Sequence, residues 1–118
     1  MLVWNETDLI ECLETVPEHE EDGVWHTYRV DKDGLSLMLT IYQFDSDVYI
    51  DLYREGIERP IFAVRIVDCP GVRYVKDKRG EFIEFAASKC FGTKYDGESP
   101  IPYGVRVSVK PSIQVMMF

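Results

Sequence analysis

The chain has 118 residues, a mass of 13.7 kDa and a formal net charge of −8. With 46% hydrophobic and 29% charged residues it can build a core, which excludes disorder over its whole length and fits one domain, residues 1–118. The acidic balance opposes nucleic-acid binding by bulk electrostatics, and no apolar run approaches the roughly 20 residues of a membrane span.

The charge is unevenly spread. Residues 1–34 hold ten acidic residues against Arg29 and Lys32, a net of −8. Residues 35–72 hold six against three arginines, and residues 73–118 hold five against eight basic residues. The acidity is therefore an N-terminal property, and the last 46 residues are weakly basic, at +3.

Taken in chain order, the first element is a short helix. Asn5 suits an N-cap, Asp8 stands at the third helical position where a carboxylate meets the positive helix end, and Trp4 and Leu9 have the spacing of a hydrophobic staple. Leu9, Ile10, Leu13 and Val16 give an apolar stripe, and Pro17 ends the element. Glu18 to Gly23 follows as a polar loop.

From Val24 the period changes to two. Leu35, Leu37, Leu39 and Ile41 alternate as a half-buried strand requires, and so do Val48, Ile50 and Leu52. Ile61 to Val67 is richer in apolar residues and predicts a more central strand. Tyr103, Val105, Val107 and Val109 alternate again, and a last strand spans Ile113 to Phe118 beyond Pro111. Asp33-Gly34 suits a tight hairpin, and further turn signals stand at Asp45–Asp47, Glu55–Glu58, Cys69–Gly71 and Asp77–Gly80. Glu81 to Phe91 fits a helix capped at Gly92 or a strand, and the strand ending near Phe85 is preferred. Thr93 to Pro102 is the longest predicted loop. The expected fold is mainly β with an α+β margin: an antiparallel meander forming a sandwich or open barrel, with one short N-terminal helix packed on it.

Motifs with chemistry are few. Cys12, Cys69 and Cys90 are odd in number, and no pair has zinc-knuckle or redox spacing, so reduced, packed thiols are expected. His19, Glu20, Glu21, Asp22 and His26 include metal-ligand types, as do Asp22, Asp31 and Asp33, but neither set completes a known ligand spacing. No nucleophile elbow, phosphate loop or dinucleotide fingerprint is present, so no catalytic residue, metal or cofactor is assigned. Arg73, Lys76, Lys78 and Arg79 form a basic cluster, read first as protection of a sheet edge.

By charge and size rather than by any motif, the sequence fits a small acidic binding protein. It would be of the immunity or inhibitor type, masking a basic surface such as that of a nuclease toxin on a protein partner. Candidate contacts are Glu11, Glu14, Glu18, Glu20, Glu21 and Asp22 on the helix and following loop, with Tyr49, Asp51 and Tyr53 as a second patch. The absence of a signal-like N-terminus predicts a cytoplasmic location. Two alternatives come from other classes: a ligand-binding or enzymatic β domain using His19, His26 or Cys90, and a structural subunit self-associating through Val115-Met116-Met117-Phe118.

Overall fold

The computed structural model describes residues 2–19, 22–91 and 94–118. Its elements are α1 (Glu6–Leu13), β1 (Glu18–His19), β2 (His26–Lys32), β3 (Leu35–Tyr42), β4 (Asp47–Arg54), β5 (Phe62–Ile66), β6 (Val72–Asp77), β7 (Gly80–Ala86), β8 (Gly104–Ser108) and β9 (Gln114–Met117). Within each sheet every strand pairs antiparallel with its sequence neighbours, giving a five-stranded sheet β1–β5 and a four-stranded sheet β6–β9, with no pairing between β5 and β6 among the described residues. The meander is therefore a two-sheet sandwich with one helix.

Alternation decides what the core contains. Leu37, Leu39 and Ile41 of β3 are fully buried and stand opposite Leu52, Ile50 and Val48 of β4. Facing them across the sandwich are Ile83, Phe85, Val105 and Val107, all within one hydrophobic cluster with Leu9, Cys12 and Leu13 of α1. Each such side chain removed from water contributes about 2 kcal/mol before entropy is counted. The β2–β3 hairpin closes on Asp33 and Gly34, both at positive φ (54° and 76°), the two-residue turn whose twist matches its strands.

Asn5 caps α1, accepting from the Thr7 N–H at 2.9 Å. The helix ends earlier than the apolar stripe suggests. Glu14 takes a left-handed conformation and donates its N–H to Ile10 O at 2.9 Å, so Val16 leaves the helix and is 76% exposed. Glu18 and His19 do not remain loop but pair with Thr27 and His26. A third departure concerns Ile61 to Val67. This apolar run is an edge strand and not a central one, because β5 pairs only with β4 and its outer side carries no described strand. The ambiguous segment from Glu81 is strand to Ala86, then turns; Gly92 lies outside the described residues.

The two sheets meet at Cys69-Pro70-Gly71. Val3 donates to Pro70 O and accepts from the Val72 N–H at 2.9 Å, forming a parallel bridge to Gly71. Gly71 O accepts from Ala86, and the Tyr95 ring lies on Gly71 so closely that a Cβ there would stand 2.1 Å from it. Tyr95 itself is 2% exposed and its hydroxyl donates to Ser99 O at 2.7 Å. Its loop is organised by Asp96, whose carboxylate accepts from the Glu98 and Ser99 N–H groups, with the Ser99 hydroxyl bond the main cause pulling its pKa down to about 2. A Gly71→Ala substitution is expected to cost about 3 kcal/mol in urea unfolding. In combination with Tyr95→Ala the loss should be less than additive, since the added Cβ has no ring to clash with once Tyr95 is truncated.

Candidate partner-binding face

The described members of the predicted acidic set lie on the helix, on β1 and in the loop that follows. Glu11 is exposed on α1, Glu18 is exposed on β1, and Asp22 is exposed with its carboxylate accepting from the Val24 N–H. Glu14 is also exposed, but its carboxylate stands 3.3 Å from Lys110 Nζ. Glu20 and Glu21 lie outside the described residues. Tyr49, Asp51 and Tyr53 lie elsewhere, on the outer face of β4, all half-buried. Because β2 and β3 separate β1 from β4, Glu18 stands apart from Tyr49, Asp51 and Tyr53, the second patch expected from the sequence.

The outer face of the first sheet follows from register. Tyr49 stands opposite Thr40 and Arg65, Asp51 opposite Met38 and Ala63, and Tyr53 opposite Ser36. Neither α1, which packs on β6 and β7, nor the second sheet covers this face. The Arg65 guanidinium lies 4.4 Å from the Tyr49 ring centroid while its Nη1 donates to Asp51 at 2.8 Å. Tyr42 meets Tyr49 edge-on at 5.0 Å. Asp51 is thus not a free acid but half of a partly exposed pair, with the rings held in place beside it. Arg65 was not among the predicted contacts; only the β4–β5 register brings it over Tyr49.

Toward the β2–β3 hairpin, the same side opens into a groove of about 700 Å³, lined among others by Arg29, Asp31, Met38, Tyr53, Arg54 and Glu55. The Ser36 hydroxyl, then Arg29, hold the Asp31 carboxyl below the ordinary carboxylate range, so it stays ionised. Tyrosine, methionine and arginine beside fixed carboxylates are the residue types that anchor protein interfaces.

Both arginines of the basic cluster are engaged by neighbouring carboxylates. Arg79 pairs with Asp77 at 2.8 Å, and Arg73 stands 3.9 Å from Glu84. Glu84, 4% exposed, also accepts from Arg106 at 2.7 and 3.2 Å, and the Arg106 guanidinium lies 4.5 Å from the Phe82 ring centroid and 4.4 Å from that of Phe118. A carboxylate so deeply buried requires such partners.

The groups weighed for catalysis are placed otherwise. Burial pushes the Cys12 and Cys69 thiols up to about 12, so both remain protonated and poor nucleophiles at neutral pH. Among the described residues, no three His, Cys, Asp or Glu side chains converge to hold a metal ion. His26 is 7% exposed, enclosed by the Trp4 ring edge at 5.0 Å, the His19 ring at 5.6 Å and Glu6 at 4.0 Å. Its Nδ1 has no hydrogen-bond partner among the described residues. No described helix is long and apolar enough to cross a membrane.

Comparison with known proteins adds one likeness. No protein-family model matches the chain, and no curated protein is similar to it in sequence. A solved contact-dependent growth inhibition toxin–immunity protein complex from Klebsiella pneumoniae 342 contains a chain of similar fold. The match has a TM-score of 0.75 at 15% identity and covers 98% of this chain and 95% of that one. At that identity the likeness shows the fold.

The histidine cage has a pH signature. Burial, the largest cause, lowers the His26 pKa from 6.5; His19 adds to the lowering and Glu6 opposes it. The unfolded chain therefore binds this proton more readily than the folded one. Stability is full above pH 6.5 and falls as pH drops from there through the lower folded pKa. Urea melts between pH 7.5 and 5 should show this slope, and His26→Gln should flatten it. The lowered carboxyls Asp31, Asp77 and Glu81 act only at more acidic pH, since their ordinary values are 3.8, 3.8 and 4.5.

Proposed function

We propose that this chain is a small acidic binding protein of the immunity type, which occupies a basic surface on a protein partner such as a nuclease toxin. The observation that carries the reading is the near full-length fold likeness to a chain of a toxin–immunity complex. The net charge of −8 favours the neutralising side of such a pair over one that must approach nucleic acid. Low sequence identity is compatible with this role, because an interface of this kind is specified by a few anchors on a fold that tolerates wide change.

In this reading the two patches have different tasks. Glu11, Glu18, Glu20, Glu21 and Asp22 attract the partner from a distance, with Glu14 contributing less because Lys110 already faces it. Tyr49 and Tyr53, with Asp51 and the groove beside them, form the short-range anchor whose desolvation sets the dissociation rate. Such a protein acts by occupancy, needs neither cofactor nor catalytic group, and works in the cytoplasm, where an incoming toxin would meet it.

Affinity capture from the native host at low and high salt, read by mass spectrometry, tests the reading. A stoichiometric basic protein weakened by salt is expected; no protein partner at either salt would overturn it. With the partner in hand, Glu18→Lys with Asp22→Lys should slow association about tenfold at low salt and hardly at all at high salt. Tyr49→Ala or Tyr53→Ala should instead speed dissociation, by about 30-fold for a central anchor.

A further inference from the structure

The edges of the two sheets are guarded unequally. At β6, Val3 bridges the strand start, α1 packs alongside, and Arg73, Lys76, Lys78 and Arg79 line the strand and its turn. At the far edge of the first sheet, β1 is only two residues long and polar. The opposite edge, β5, has neither device. Pro60 stands ahead of it, but Ile61, Phe62 and Val67 are 51%, 37% and 57% exposed. Its one charge, Arg65, is folded back on Tyr49 and Asp51. An apolar edge whose one charge is folded away from it is a template for another strand.

Beside β5 lies an apolar groove of about 340 Å³ between the sheets, lined by Val64, Ile66, Tyr103, Val105, Met117 and Phe118. Tyr103 and Met117, on its second-sheet side, are 51% and 65% exposed. The seam thus joins the unprotected edge of one sheet to the exposed end of β9 in the other.

We propose that β5 pairs antiparallel with β5 of a second copy of this chain, forming a two-fold dimer with Tyr103 and Met117 packed into the shared seam. The strand is self-complementary about Val64. With Val64 facing its own counterpart, Phe62 meets Ile66, Ala63 meets Arg65, and Ile61 meets Val67. Val64 and Ile66 stand opposite Ile50 and Val48 of β4, on the core side, so this register continues the core-facing row from one copy into the next. Arg65 faces alanine rather than a second arginine, and Asp51 already neutralises it.

The self-complementary register selects a second copy as the occupant, and the charge layout permits it despite the net of −8. The excess acid lies in residues 1–34, while Arg54 to Val67 holds three arginines against two glutamates. In the first sheet β1 and β5 are opposite edges, so joining β5 to β5 leaves the two β1 strands about 40 Å apart at ordinary strand spacing. That is several times the roughly 8 Å screening length at physiological salt. The inference is independent of the partner reading above.

Sedimentation velocity on the whole chain, from low concentration up to about 100 μM, provides the test. Wild type is expected to dimerise, and amide exchange across Phe62–Ile66 should slow as the dimer fills. Ile61→Lys with Val67→Lys, at two exposed sites, should weaken the dimer at least about a hundredfold, as should Ile61→Glu with Val67→Glu. An equimolar mixture of the two variants should associate again, because each introduced lysine faces an introduced glutamate. A wild type that stays monomeric, a dimer that survives in both variants, unchanged exchange across β5, or a mixture that fails to associate would each overturn the proposal.

Discussion

The missing side chain at Gly71 is the constraint on which the assembly rests. The chain leaves the first sheet at Ile66, the end of its β5 edge, and must begin the second at Val72, and the backbone between them is shared by three other segments. Val3 bonds to it from one side, Ala86 bonds to it from within the second sheet, and Tyr95 lies flat upon it. Val3 leads within two residues to the Asn5 cap, so the same joint fixes where α1 starts. Tyr95 in turn holds the loop covering the outer face of β7, where Ala86 is fully buried. One short crossing therefore sets the relation between both sheets, the helix and the covering loop.

Electrostatics divides along the same lines. On the second sheet, charges are largely satisfied internally: Glu84 by Arg106 and Arg73, Asp77 by Arg79, Glu81 by Lys110 and the Tyr74 hydroxyl. Glu11, Glu18 and Asp22 instead face water on the helix, β1 and the adjoining loop. Much of the acidity that dominates composition thus faces outward, while Arg73, Arg79, Arg106 and Lys110 of the basic C-terminal part are held in ion pairs. Composition alone treats the two alike, and only pairing separates them.

Much of the fold is legible because β periodicity leaves little choice. The alternation in residues 35–41 and 48–52 has one face to bury, and Asp33-Gly34, a pair that takes two positive φ angles cheaply, turns β2 into β3. What is not legible depends on neighbours distant in sequence. An apolar run such as Ile61 to Val67 looks the same whether it has one neighbouring strand or two. The polar pair Glu18-His19 has no apolar pattern to reveal β1. Glu84 sits in a segment whose outer face would be wet were it not for the Tyr95 loop and the stacked Arg106. For the candidate face, the placement of Tyr49, Asp51 and Tyr53 on the outer side of β4 follows from alternation, but the clasp of Arg65 depends on register across the sheet.

The thiols have a practical consequence. Cys12 and Cys69 are buried and held protonated, whereas Cys90 is only half-buried and its Sγ donates to Tyr103 O at 3.4 Å. Folded protein exposed briefly to a maleimide dye would be tagged at Cys90 before the other two. The unmodified sequence thus offers a fluorescent reporter site bonded to Tyr103, a residue that lines the seam between the sheets.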